Sequence, residues 1–198
     1  MKFFIKGFCY ALLLNIIVLF SYITFSKDAS TAKKIKTNME NTVYLDLKDG
    51  RVVIRMLPNI APKHVAQIKE LVRKGFYNGA EFYRVIDGFM AQCGKISDNK
   101  IENAKNIPAE FTNKYSHKRG AVSMARSSDP NSANNQFFIV TSDSYYLDGK
   151  YTIWGYVVDG MEYVDNIKKG DISDDGIVKN PDKIIKMSIA SDVEKGQN

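Results

Sequence analysis

Residues 81–94 read EFYRVIDGFMAQCG, a run in which one arginine stands among apolar residues and glycines. Arg84 alternates with Phe82 and Ile86, the period-2 spacing of a strand with one face turned inward. Asp87-Gly88 suits a tight turn, so FYRVI and FMAQCG predict two short strands in succession. The only carboxylates close by in sequence are Glu81 and Asp87. A cation beside Phe89 and Met90, with Gln92 two residues on, therefore needs a reason to be there.

The same alternation extends in both directions. TVYLDLKDGRVVIRML, from residue 42, predicts a hairpin turning at Asp49-Gly50. NIAPKHVAQIKELVRKGFYNG carries Val65, Ile68, Leu71 and Val72 on one helical face, with Pro62 in its first turn and Gly75 as a left-handed stop. GAVSMA, QFFIV and TIWGYVV predict further strands, MEYVDNIKKG a short helix ending at Gly170, and DKIIKMSIA a closing strand. About eight short strands and two helices then form one mostly β domain over residues 41–192, with a polar tail at 193–198. Open sheet ends would expose hydrophobic edges, so the expected architecture is a closed eight-stranded antiparallel barrel capped by two α-helices. A barrel that small fills its interior with side chains, which puts any ligand site on its outer wall or rim.

Ahead of the domain, Lys2 and Lys6 precede an apolar run from Phe8 to Phe25, broken only by Asn15, Ser21 and Thr24. This is the pattern of an export signal, and its length also approaches that of a membrane anchor. Residues 1–26 are read as one or the other, and residues 27–40 as a polar tether. Either reading places the domain across a membrane, soluble or still anchored, with membrane contact through the N-terminal segment alone.

The formal net charge is +6, of which Lys2, Lys6, Lys27 and Asp28 contribute +2. The remaining excess is mild and has no cluster denser than TAKKIK, which argues against a nucleic-acid groove. Of the two cysteines, Cys9 lies in the leader, and Cys93 reads as a small half-buried strand residue rather than a redox thiol. His64 and His117 share no metal-ligand spacing with each other or with a cysteine, so neither metal nor cofactor is expected. DISDDGIVKNPD only faintly resembles a calcium loop and reads as a solvated loop before the last strand. Serines are plentiful, but a nucleophile needs a base within reach. His64 sits on the first helix and His117 in a polar loop.

What remains combines Arg84, Gln92 and Gln136 with Phe89, Met90, Phe138 and Leu147, a set without a general acid or base. Breaking bonds calls for proton shuttles, whereas rotating one does not. Rotation about a peptide bond faces a resonance barrier of about 18–20 kcal/mol. A catalyst for an X-Pro bond needs an apolar pocket for the proline ring and a donor for the nitrogen lone pair that appears as the amide twists. A guanidinium is a permanently charged donor of fixed geometry. On spacing alone, Arg84 fits equally a strand arginine that snorkels to solvent.

Three motifs in order resemble the cyclophilin family of peptidyl-prolyl cis-trans isomerases, especially its short bacterial branch. They are FYRVIDGFMAQCG, KRGAVSMARSSDPNSANNQFFIVT and YYLDGKYTIWGYVVDGMEYVDNI, and the resemblance spans about residues 41–190. It implies a fold of eight antiparallel strands with two capping helices, a proline-containing polypeptide as partner and, for an exported copy of the bacterial branch, action in the periplasm, soluble or anchored to the inner membrane; a monomer is expected. It also implies that Arg84, Phe89 and Gln92 are catalytic, Arg84 as the donor and Gln92 as its support. Met90, Phe138 and Leu147 would complete the proline pocket with Phe89, and Gln136 would contact the peptide. The backbone at Ala125 and Arg126 would pair with the substrate chain as an added strand does. The resemblance has departures: Tyr146 stands where many members carry tryptophan, Tyr151 where many carry histidine, and Arg126 in place of a commoner asparagine. The loop at residues 95–106 also lacks the family's frequent glycines. The expected function is folding assistance to exported proteins, with a non-catalytic proline-peptide binder as the alternative.

Overall fold

The structure is a computed structural model that describes residues 31, 34–95 and 105–195. The apolar leader, Cys9 and the loop at 96–104 lie outside the described residues. The chain divides into two compact units, Met1–Asn38 and Met39–Asn198. In the first, residues 34–38 of the expected tether are helical. No helix among the described residues is long and apolar enough to cross a membrane.

The second unit carries all eight expected strands: β1 Thr42–Leu47, β2 Gly50–Met56, β3 Arg84–Ile86, β4 Met90–Cys93, β5 Ala121–Met124, β6 Phe137–Val140, β7 Ile153–Asp159 and β8 Lys186–Ile189. They form one curled antiparallel sheet in the order β3-β4-β6-β5-β7-β2-β1-β8. The closed barrel expected from sequence is not present, because the end strands β3 and β8 do not pair with each other. The chain approaching β8 binds the β3 side through scattered bonds instead: Val178 N–H to the Tyr83 carbonyl, Phe82 N–H to Asp182 and Ile184 N–H to Ala80. Irregular backbone therefore covers the seam, leaving a half-barrel. The closing strand is also shorter than expected, since residues 182–184 are occupied with that seam.

Among the described residues of this unit, three α-helices accompany the sheet: α1 Pro62–Arg73, α2 Met161–Asp165 and α3 Ala190–Lys195. α1 begins at Pro62 as expected, and Gly75 beyond it is left-handed at φ 68°. It has no acidic residue in its first turn and no side-chain cap of its own. Glu110, 47 positions away, accepts the backbone N–H groups of Lys63 and His64 at 3.1 and 3.0 Å. A carboxylate at a helix start satisfies orphan donors and opposes the dipole. α2 stops at Asp165 rather than Gly170, because the following amides are claimed elsewhere: Lys168 N–H by the Asp182 carboxylate and Gly170 N–H by the Val85 carbonyl.

Alternation along the central strands divides the side chains into two clusters. Ala91, Cys93, Val122, Met124, Phe137 and Ile139 join Trp154 and Ile54 in the main core. Met90, Ala121, Phe138 and Val140 form a separate cluster with Leu147 on the other face. Cys93 is fully buried, not half-buried as expected, and burial pushes its thiol pKa up, away from reactivity.

Candidate active site

Register assembles the site. β3 pairs Arg84 with Gln92, β4 pairs Gln92 with Phe138, and β6 pairs Phe138 with Ser123. One row across four strands thus carries an arginine, a glutamine and an aromatic ring, with Met90 and Val140 paired in the next row. Phe82 does not share the face of Arg84 as the spacing suggested. Its amide bonds Asp182, the ladder begins only at Arg84, and the Phe82 ring goes fully into the main core.

Arg84, Phe89, Met90, Gln92, Phe138 and Leu147 line an open pocket of about 350 Å³, with Ala125, Arg126, Tyr146 and Tyr151 at its border. Met90, Phe138 and Leu147 are buried into its floor. Phe89 lies 5.7 Å from the exposed Tyr146, and Tyr151 meets Phe138 edge-on at 5.6 Å. Gln136, expected to contact the peptide, does not line the pocket. Its Oε1 accepts from Tyr83 at 2.6 Å and from Gln92 Nε2 at 3.3 Å, so it stands one step behind Gln92. Gln92 Nε2 also donates to the Tyr83 hydroxyl.

The guanidinium of Arg84 is held on two sides. Nη1 lies 3.4 Å from Gln92 Oε1 and 3.9 Å from Met90 Sδ. On the outer side, Nη2 donates to Asp175 Oδ1 at 2.8 Å, and Nε donates to Asp175 Oδ2 at 3.1 Å and to its carbonyl at 3.0 Å. This two-point grip fixes orientation as well as charge. The hydrogen bonds and charge of Arg84 in turn hold the Asp175 carboxyl below its ordinary pKa. The loop expected to be merely solvated therefore delivers a partner to the arginine. Asp175 is left-handed at φ 51°, uncommon for a residue other than glycine. Gly176 follows at φ 76°, and a Cβ there would lie 2.5 Å from Ile86 Cγ1, so only glycine lets the loop lie against β3.

Behind the pocket, His117 is buried, unlike the polar-loop residue expected. Its Nδ1 contacts Asp148 Oδ1 at 2.7 Å and its Nε2 contacts Ser123 Oγ at 2.9 Å. A carboxylate only accepts, so Nδ1 carries the proton and the neutral ring accepts from the serine hydroxyl. The His117 ring stacks on Phe138 at 6.3 Å. Ser123 is fully buried, so this serine-histidine-aspartate chain braces the floor rather than presenting a nucleophile. Nothing in sequence spacing marked it, nor the role of Tyr83.

Comparison with known proteins identifies the family of this fold. The model of the family described as "Cyclophilin type peptidyl-prolyl cis-trans isomerase/CLD" matches residues 42–189. A probable peptidyl-prolyl cis-trans isomerase of Brucella suis is 52% identical over 168 residues, 78% of this chain and 85% of the relative. The crystal structure of cyclophilin AquaCyp293 from Hirschia baltica is 31% identical with a TM-score of 0.63, covering 78% of this chain and 75% of its own. That of a Cryptosporidium parvum cyclophilin type peptidyl-prolyl cis-trans isomerase in the presence of the dipeptide Ala-Pro is 25% identical with a TM-score of 0.65. It covers 75% of this chain and 98% of its own. The chain belongs to the cyclophilin-type peptidyl-prolyl cis-trans isomerases and is a rotamase.

Proposed function

We propose that the pocket grips the ring of a substrate proline between Phe89, Met90, Phe138 and Leu147 while Arg84 acts on the peptide bond. The observation that carries this is the position of Arg84 Nη1, which faces Met90 and Gln92 at the pocket wall while Asp175 occupies the outer edge. As the amide twists, its nitrogen becomes pyramidal and gains a lone pair, and a guanidinium N–H favours that state over the planar ground states. The donor is already oriented, so little reorganisation is needed at the barrier. Gln92 supports Arg84, and Tyr83 and Gln136 hold Gln92. Arg126 makes no backbone hydrogen bond among the described residues, which leaves its N–H and C=O available to a substrate strand.

The substrates in this reading are proline-containing segments of exported proteins, and the enzyme acts as a monomer in the periplasm. The support for export is the lysine-flanked apolar leader of the sequence. A protease-coupled peptide isomerisation assay on the purified protein tests the activity. Arg84→Ala is expected to slow turnover at least ~10-fold, equivalent to ~1.4 kcal/mol of transition-state stabilisation. Undiminished activity in that variant would remove Arg84 from the mechanism. Protease added to spheroplasts tests the location, since an exported domain is digested while a cytoplasmic marker survives.

A further inference from the structure

Arg126 and Tyr151 are far apart in the sequence, yet in the fold they touch. The Arg126 guanidinium lies 4.7 Å from the centre of the Tyr151 ring, and that ring meets the pocket residue Phe138 edge-on. Arg126 Nε donates to the Lys150 carbonyl at 3.0 Å, and Nη1 donates to the carbonyls of Ser127 and Ser128 at 2.8 and 3.2 Å. Three carbonyls and an aromatic face thus fix a cation at the pocket border, and all of these partners are uncharged.

Arg84 differs, because its charge is matched by Asp175. Among the described residues, no carboxylate lies within ion-pair distance of Arg126. The acid nearest Arg126 in sequence, Asp129, accepts from the backbone N–H of Asn131, and the acid nearest Tyr151, Asp148, is engaged with His117. The border therefore keeps one uncompensated positive charge on a side chain whose rotamer freedom is already largely lost. A carboxylate arriving there gains its attraction without the usual cost of ordering a free arginine.

We propose that Arg126, seated on Tyr151, makes this enzyme favour a proline preceded by aspartate or glutamate. The proposal rests on the isomerase reading of the pocket, with the substrate chain running beside Ala125 and Arg126. Two unit charges at about 4 Å in water interact by ~1 kcal/mol, which corresponds to about fivefold in rate. A lysine before the proline is disfavoured in the same way, and salt at 1 M shortens the reach of both effects to about 3 Å.

The test uses the purified full chain and matched peptides with Glu, Ala or Lys before the proline, at low and at 1 M salt. The expected order of kcat/KM is Glu above Ala above Lys, with Glu over Ala about fivefold at low salt and contracting at high salt. Arg126→Gln is expected to bring the Glu-to-Ala ratio toward one, each protein's Ala peptide serving as its own reference. If that variant turns over too slowly to measure, NMR titration of the same peptides reads the ratio from their affinities. Equal rates on the three peptides, or a Glu preference that survives Arg126→Gln, overturns the proposal. Absence of turnover on every peptide by the unaltered protein would instead remove the isomerase reading beneath it.

Discussion

Arg84 owes its orientation to a residue 91 positions further along the chain. Asp175→Asn keeps an oxygen acceptor and a side chain that tolerates φ 51°, yet removes the negative charge. The expected result is a severalfold fall in kcat for an Ala-Pro peptide, with little change in thermal midpoint because Asp175 is exposed. The effect should vanish when the same change is made in Arg84→Ala, since nothing is then left to orient. In the unaltered protein the pair survives until pH drops through the depressed pKa of Asp175, so its loss appears only on the acid side of the ordinary carboxylate value of 3.8. Turnover of Asp175→Asn equal to the parent's would show that Gln92 alone suffices. Arg84 and Gln92 were legible in the sequence because they face each other across one hairpin. Asp175 was not, because its contact depends on how a distant loop lies.

At the level of elements, the sequence revealed strand existence better than strand fate. DGRVVIRM and QFFIV alternate or run apolar just as paired strands must. Closure was misjudged because it depends on β3 and β8 meeting in register, and residues 176–184 intervene with bonds of their own. The loop 171–177 is the element that couples this seam to the pocket. Gly176→Ala drives a methyl toward Ile86 Cγ1 and the Val85 carbonyl, and imposes a positive φ on a residue that resists it. A loss of about 1–2 kcal/mol in chemical denaturation is expected, since the left-handed conformation alone costs that much. Activity should fall with it, because the displaced loop carries Asp175 away from Arg84. A variant that lost stability while keeping full kcat would uncouple the loop from the site. The cap of α1 was equally hidden, as Glu110 and Lys63 share no local pattern.

Over the whole molecule, two buried histidines set the response to acid. Burial lowers the pKa of His64 below the ordinary 6.5 despite Glu110 at 2.6 Å, and that of His117 despite Asp148. Both are neutral in the folded protein and take up protons more readily when it unfolds. Stability is therefore greatest above pH 6.5 and declines as pH falls from there toward the folded values. Glu110 and Asp148 lie below their ordinary values, so a second loss begins only below about pH 4.5. Thermal melting at pH 7.5 and 5.5 should show a lower midpoint at the acid pH. A higher midpoint at pH 5.5 would mean that the carboxylates outweigh burial and hold the rings charged. The two-faced sheet carries a further consequence. Phe137 holds the main core while its neighbour Phe138 shapes the groove, and Ala91 and Met90 divide in the same way. Foldedness and ligand preference are thus written in alternate letters of the same strands. Natural variation can rewrite the outward letters, trading one clientele for another, while the inward letters go on specifying an unchanged scaffold.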